Sequence, residues 1–351
     1  MHGSVTTSPT ISVVVNNFNY ARYLPEALNS VLSQIEPHDE LIVVDDGSVD
    51  ESSAVLARYA GNPQVTVILQ HNQGQLVTVL NGLAAAQGAL CVLLDSDDYL
   101  LPGYLMRLRG NAQEYPDEDF FFAAAQPGGD NAGSAENMRE MLAKMEVPAG
   151  ATGVSLWSTW AGGEFLGTPT SGLALRNTLV AKLLALRGQL PDEVPIAGWA
   201  IRLLGMNKAS HVVSRLSADG VLVRASSLLG ARKHYCGTPG FFYRVHGTNA
   251  FAGLGAAARI YLRITRKKQI VLMVRAALDL PSRPPLQAVR TEAAQRSRPL
   301  RLKRRLTLWR NYSRAVLCAA GPLAARLCAL VQLPRVLFNQ GPTQTKQPGE
   351  Q

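Results

Sequence analysis

Cysteine is scarce. Cys91, Cys236, Cys318 and Cys328 are the only four in 351 residues, and no two form a CxxC pair. That excludes a zinc ribbon and a disulfide framework, and it points to a reducing compartment. No uncharged apolar run reaches the ~18 residues a membrane-spanning helix needs. No basic segment followed by an apolar stretch opens the chain, so no signal peptide is expected and the chain should stay in the cytoplasm. A Walker A lysine motif is absent, and no GxGxxG follows the first apolar run. P-loop NTPases and dinucleotide dehydrogenases are thereby disfavoured. Carboxylates are rare at one end only. Residues 251–351 hold 19 Lys+Arg against 3 Asp+Glu, whereas residues 1–250 hold 16 against 23. A basic tail therefore follows an acidic body, and such a tail favours an anionic partner: membrane lipid, nucleic acid or a phosphorylated substrate.

What is present is globular. Apolar residues make up 47% and charged residues 17%, enough for a sizeable core without metal or disulfide staples. Apolar strand patterns at 11–15, 41–44, 65–69 and 90–94 alternate with helical patterns. The first helix places Leu24, Ala27, Leu28, Val31 and Leu32 on one face, with Pro25 in its first turn, where a missing N–H costs nothing. Asp50 is positioned to cap the second helix, and Gly88 to close a third over about 75–87. Nearly all-apolar strands repeated in this way predict a parallel sheet covered on both faces. Ligands of such sheets bind outside the carboxyl ends of the strands. Three of those ends carry polar clusters here: Asn16-Asn17-Phe18-Asn19, Asp45-Asp46-Gly47-Ser48 and Asp95-Ser96-Asp97-Asp98.

Asp95 and Asp97 place two carboxylates on the same side of an extended turn. A hard divalent cation that also binds a diphosphate needs one or two such groups. The same residues could form a solvated acidic turn, and Asp45-Asp46-Gly47-Ser48 an ordinary turn with a helix cap.

Thr10 to Tyr20, Leu41 to Asp50, Asn72-Gln73-Gly74-Gln75 with Asn81-Gly82, and Leu94 to Asp98 stand in an order that resembles the signature of family 2 glycosyltransferases. The likeness continues more weakly through Pro169 to Gly172, Ala218-Asp219-Gly220 and Tyr243 to Asn249. It implies the GT-A fold, a Rossmann-like and mostly parallel sheet with helices on both faces. It also implies inverting transfer from a nucleoside-diphosphate sugar, with Mg2+ or Mn2+. Carried over, Asn17, Asp45 and Asp46 would hold base and ribose, Asp95 the ribose, and Asp97 the metal, with Asp98 able to substitute. His246 would be a second metal ligand and Arg244 would steady the diphosphate. The usual Pro-Thr of the first loop is replaced by Asn16-Asn17, which leaves the base open.

Inverting transfer needs a base to take the acceptor proton. The family places an acidic residue downstream of the DxD motif. Asp219 is the only one between Glu193 and Asp279, with Glu164 and Asp192 as fallbacks. Thr170-Ser171-Gly172 could line the acceptor side or form a tight turn. Trp157, Trp160 and Trp199 fit a core better than a sugar platform.

The expected organisation is a glycosyltransferase domain over 1–250, a basic helical region over 251–340 and a disordered tail over 341–351. Within the basic region, Arg259, Arg263 and Arg266 should lie beside an apolar face of Ile260, Ile264, Val271, Val274 and Leu278. A Pro/Arg-rich linker (281–300) should separate that helix from a second helical stretch broken near Pro322. The expected acceptor is a glycan or a lipid-linked species, with the enzyme peripheral on the inner face of the cell membrane. Nucleic acid is disfavoured, because no basic strand is interleaved with aromatics. A sugar-phosphate nucleotidyltransferase and an inactive nucleotide-sugar-binding relative are the alternative readings.

Overall fold

The computed structural model describes residues 8–129, 136, 138–140, 142, 147–190, 195–207, 215–247, 254–296 and 302–338. Two compact units divide the chain: residues 1–156 with 165–280, and residues 157–164 with 281–351.

The first unit is built on one sheet. Its strands are β1 (Ile11–Asn17), β2 (Glu40–Asp45), β3 (Val65–Leu69), β4 (Leu90–Asp95), β5 (Tyr99–Leu100), β6 (Phe120–Gly129), β7 (Gly150–Gly153), β8 (Leu173–Arg176) and β9 (Lys233–Val245). The spatial order is β3-β2-β1-β4-β8-β6-β9-β5, with β7 on β9. The β3-β2-β1-β4 half is parallel throughout. Beyond it β8 runs antiparallel to both β4 and β6, so the sheet is mixed.

The helices of this unit are α1 (Leu24–Leu32), α2 (Ser52–Ala57), α3 (Gln75–Ala85) and α4 (Tyr104–Glu114). One helix, α5 (Leu156–Gly162), falls almost entirely in the second unit. Then follow α6 (Asn177–Ala185), α7 (Gly198–Leu203), α8 (Ala218–Leu228) and α9 (Ala256–Ala277). Alternation along the strands sorts the faces. Ile11, Val13, Val15, Leu41, Val43, Leu90, Val92 and Leu94 pack with α1, α2 and α4. The opposite face meets α3 at close range: a Cβ on Gly82 would lie 2.3 Å from Val14 and 3.2 Å from Val44. Both faces are thus covered, which is why the central strands read as continuous apolar runs.

Local details differ from expectation at two points. Gly88 is not a left-handed helix cap; α3 ends before it, and a Cβ there would lie 2.6 Å from the Ser12 backbone nitrogen. Its role is a close backbone approach. Asp50 stands one residue before the cap position of α2, where it accepts the Ser52 and Ala21 N–H groups at 3.0 and 2.9 Å.

The basic region divides. Helix α9 belongs to the first unit and buries Ala258, Leu262, Arg266, Ile270, Val271 and Val274. Ile260 and Ile264, expected on the inner face, are exposed, while Arg266 is inside. The second unit contains α5, α10 (Leu286–Gln295), α11 (Leu302–Cys318) and α12 (Leu323–Phe338). Part of the expected 281–300 linker is therefore helix α10. The break near Pro322 lies between α11 and α12, as expected. Val289, Ala293, Leu308, Tyr312, Ala315, Val316, Ala329, Leu333 and Leu337 form the core of this unit, with Trp157 and Ala161 packed against it.

Candidate active site

Three strand ends meet in register. Asn16 of β1 pairs with Val44 of β2 and with Asp95 of β4, so the loops after all three strands open on one side of the sheet. The buried Asn17 donates from Nδ2 to Asp45 (2.6 Å), Ser52 (2.9 Å) and Ser48 (3.2 Å), while its own Oδ1 has no partner among the described residues. Asp45 also accepts the Ser48 hydroxyl and backbone N–H. The Asp46 carboxylate accepts Gln70 Nε2 and the Gln73 and Gly74 N–H groups, at 2.7–2.8 Å. These groups shape a rigid cleft wall. Asp45 and Asp46 hold the loops that follow β2 and β3 with bonds already made, before any ligand arrives.

At the end of β4 the carboxylates gather. One oxygen from each of Asp95, Asp97 and Asp98 lies within 4.8 Å of the others. Burial, and then the neighbouring Asp97, push Asp95 up to about 7; the same two causes push Asp98 well above the carboxylate range. Like charges this close destabilise one another's ionised forms, and a divalent cation relieves exactly that cost. An all-oxygen donor set of this kind fits Mg2+ or Mn2+. His246, also buried, has Nε2 3.0 Å from Asp97 Oδ2 and packs against the rings of Tyr20 and Tyr23. An imidazole beside such a set would suit Mn2+ better than Mg2+ if it joined it.

Other expected residues reach the same cleft. Ser171 donates to Asp98 at 2.6 Å and accepts the Asp95 N–H at 3.0 Å. Arg244 donates Nε to the Asp97 carbonyl at 2.8 Å, pairs with Glu26 and packs over the Tyr23 ring. Asp219, half-buried, sits in the first turn of α8. Its negative charge raises the Asp95 pKa and acts on the buried Arg224 and Arg266.

Gln75 stands in the family-like Asn72-Gln73-Gly74-Gln75 pattern without a role assigned by it; in the structure it joins the two halves of the cleft. Its Nε2 donates to Asp95 at 2.8 Å and to Thr170 at 3.3 Å, and its Oε1 accepts the Ala218 N–H at 3.2 Å. Arg215 was missed as well; it holds Asn72 at 2.6 Å. Only the meeting of distant segments reveals either role.

The fallback base Glu164 is excluded on physical grounds. It is buried in the second unit between Arg296 and Arg304. Burial works to raise its pKa, but the two arginines outweigh it and hold the carboxyl at about 2. A group so strongly ionised is a poor proton acceptor at neutral pH. Asp192 lies outside the described residues, as do Thr248 and Asn249. Trp157 packs against the core of the second unit, and Trp160, buried in the same helix, donates to the Pro281 carbonyl at 3.2 Å. Trp199 is exposed against Tyr261.

Residues 12–155 match the family described as Glycosyl transferase family 2. The chain belongs to this family. An uncharacterized glycosyltransferase, alr2836, of Nostoc sp. is 30% identical over 250 residues, 68% of this chain and 66% of that protein. The undecaprenyl-phosphate 4-deoxy-4-formamido-L-arabinose transferase of Proteus mirabilis is 36% identical over 110 residues, 30% of this chain and 34% of its own length. The chain thus spans about a third to two thirds of the length of these relatives. Among solved structures, S. aureus TarS 1-349 in complex with UDP aligns over 93% of this chain and 90% of its own, at a TM-score of 0.51 and 16% identity. That likeness is one of fold.

Proposed function

We propose that this family 2 member moves a sugar from a nucleoside-diphosphate donor to an acceptor hydroxyl, with inversion and with Mg2+ or Mn2+. The observation that carries the reading is the bridge made by Gln75. It ties the carboxylate cluster at the end of β4 to the N-terminus of α8, where Asp219 stands. A donor-binding side and a proton-accepting side thus share one cleft.

In this reading Asn17, Asp45 and Asp46 form the wall for base and ribose. Asp95 contacts the ribose. Asp97, with His246 and the nearby Asp98, would hold the metal, which would supply positive charge to offset that of the departing diphosphate. Arg244 adds positive charge on the same side, anchored by Glu26 and the aromatic rings around it. Asp219 takes the acceptor proton as the hydroxyl attacks the anomeric carbon.

The acceptor is a cell-surface glycan or its lipid-linked precursor, which puts the enzyme on the cytoplasmic side at the inner face of the cell membrane. The similarity to a transferase named for undecaprenyl phosphate supports this.

The test is thermal stability of the protein with a panel of nucleoside diphosphates and their sugars, with and without Mn2+. Specific binding to the native state raises the melting temperature. One nucleotide should stabilise the protein in the presence of Mn2+, and Asp97→Asn should remove that shift. Nucleotide binding indifferent to EDTA would count against the metal, and stabilisation by no nucleotide against the whole reading.

A further inference from the structure

The second unit leaves apolar side chains in water in an ordered way. On α11, Leu302, Leu306, Trp309 and Leu317 are 65%, 50%, 40% and 51% exposed. Their spacing keeps them on one stripe, opposite the face that buries Leu308, Tyr312 and Ala315. Lys303, Arg310 and Arg314 stand exposed along one edge of that stripe, and Arg305 lies on the other. On α12, Leu323, Leu327 and Val331 form a second exposed stripe. Neither helix contains an Asp or Glu. From residue 281 to 338 the chain has twelve Lys+Arg and one acidic residue, Glu292, and Glu292 is buried.

Exposed apolar stripes of this regularity mark an interaction surface. The cations decide the partner. A second copy of the same face would set positive charge against positive charge. A nucleic acid would use the cations but leave the leucines unsatisfied. A bilayer with anionic headgroups satisfies both: apolar side chains enter the acyl boundary while Lys and Arg reach up to the headgroups. Trp309, at the edge of the stripe, suits the interface between the two. No described helix is long and apolar enough to cross a membrane. We infer that α11 and α12 lie in the plane of an anionic membrane surface and hold the protein there. This does not depend on the glycosyl-transfer reading, and it concerns the second unit; in the first, α9 exposes Ile260, Ile264 and Leu272 but buries Leu262, Ile270, Val271 and Val274.

The experiment is co-sedimentation of the full chain with vesicles of phosphatidylcholine alone and of phosphatidylcholine mixed with phosphatidylglycerol, at low and high salt. Binding should require phosphatidylglycerol and weaken with salt. Lys303→Gln and Arg310→Gln should each lower the partition roughly fivefold. Leu306→Gln with Trp309→Gln should reduce it further, and this loss should persist at low salt. All four substituted side chains are solvent-facing or nearly so, and unchanged melting temperatures confirm that the variants fold. Equal binding to neutral vesicles, binding to neither, or full binding by the Leu306/Trp309 variant each overturns the proposal. So does salt-sensitive capture of single-stranded RNA by a protein that ignores vesicles, or dimerisation in solution that the same variant abolishes. Nucleotide-dependent stabilisation serves as the independent readout: its failure speaks to the active site and leaves the membrane result standing.

Discussion

At the scale of single residues the cleft separates binding from chemistry. Asp97 belongs to the carboxylate cluster, whereas Asp219 stands in the first turn of α8, next to Ala218, whose N–H is held by the Gln75 that also binds Asp95. Asp219→Asn keeps size and shape but cannot accept a proton at neutral pH. Turnover should fall by roughly 10²–10⁴-fold, the usual worth of a positioned base, while the donor dissociation constant stays near its wild-type value. Asp97→Asn should damage both quantities. Measuring turnover and donor binding on both variants decides this; near-wild-type turnover in Asp219→Asn would move the base elsewhere. Much of this site was legible from sequence. Asn17, Asp45 and Asp95 end buried strands and Asp46, Asp97 and Asp98 follow them, and the carboxyl ends of parallel strands are forced to one edge of the sheet. Gln75 was not legible, because its bonds span 20 residues to Asp95 and 143 to Ala218, and no local pattern encodes such a separation.

At the scale of elements the same contrast recurs. The four parallel strands were readable because both of their faces are buried, which makes them uninterrupted apolar runs. Helix α10 was masked by the Pro and Arg residues around it. The faces of α9 were misassigned because Arg266 is buried beside Asp219's field while Ile260 and Ile264 face water, an inversion that tertiary context imposes on a helical pattern. Arg296, just after α10, shows what that helix is for: with Arg304 of α11 it encloses Glu164. Removing one partner of a buried ion pair leaves a charge uncompensated. Glu164→Gln should therefore destabilise the second unit by about 3–5 kcal/mol at neutral pH. The pH dependence has a definite sign. The folded-state pKa lies near 2, below the ordinary value of about 4.3. Its contribution is complete above the ordinary value and fades as pH falls towards 2. The gap between wild type and Glu164→Gln should narrow over that window, and denaturant unfolding at a series of pH values reads it directly. A gap that stays constant with pH would assign the loss to packing instead. Gly172 offers a second check on element geometry. At φ +88° a Cβ would lie 2.4 Å from the Phe241 ring, so Gly172→Ala should cost stability by about 1–3 kcal/mol in the same assay.

At the scale of the whole molecule, the basic C-terminal region is joined to the first unit by more than one chain crossing. The chain leaves the first unit to supply residues 157–164 to the second, returns at 165, and passes over again after 280. The short inserted segment depends on residues far along the sequence. Glu292 accepts the Trp157 and Ser158 N–H groups at 2.9 and 3.1 Å, and Arg296 and Arg304 compensate Glu164. Ending the chain after residue 280 would keep every residue proposed for the donor cleft, yet it would strand Trp157, Ala161 and Trp160 in water together with a carboxylate stripped of its arginines. The truncated protein should accordingly show a red-shifted tryptophan emission, rapid proteolysis within 157–164 and a strong loss of soluble yield. Replacing Trp157 and Trp160 with serine in the truncated chain should recover part of the yield, because the exposed apolar area is the cause. Nucleotide-dependent stabilisation, measured on whatever soluble protein the rescued truncation gives, should survive. A truncation at 280 that is as soluble and as protease-resistant as the full chain would mean that segment 157–164 can satisfy itself without α10, α11 and α12, and that the second unit is a separable appendage.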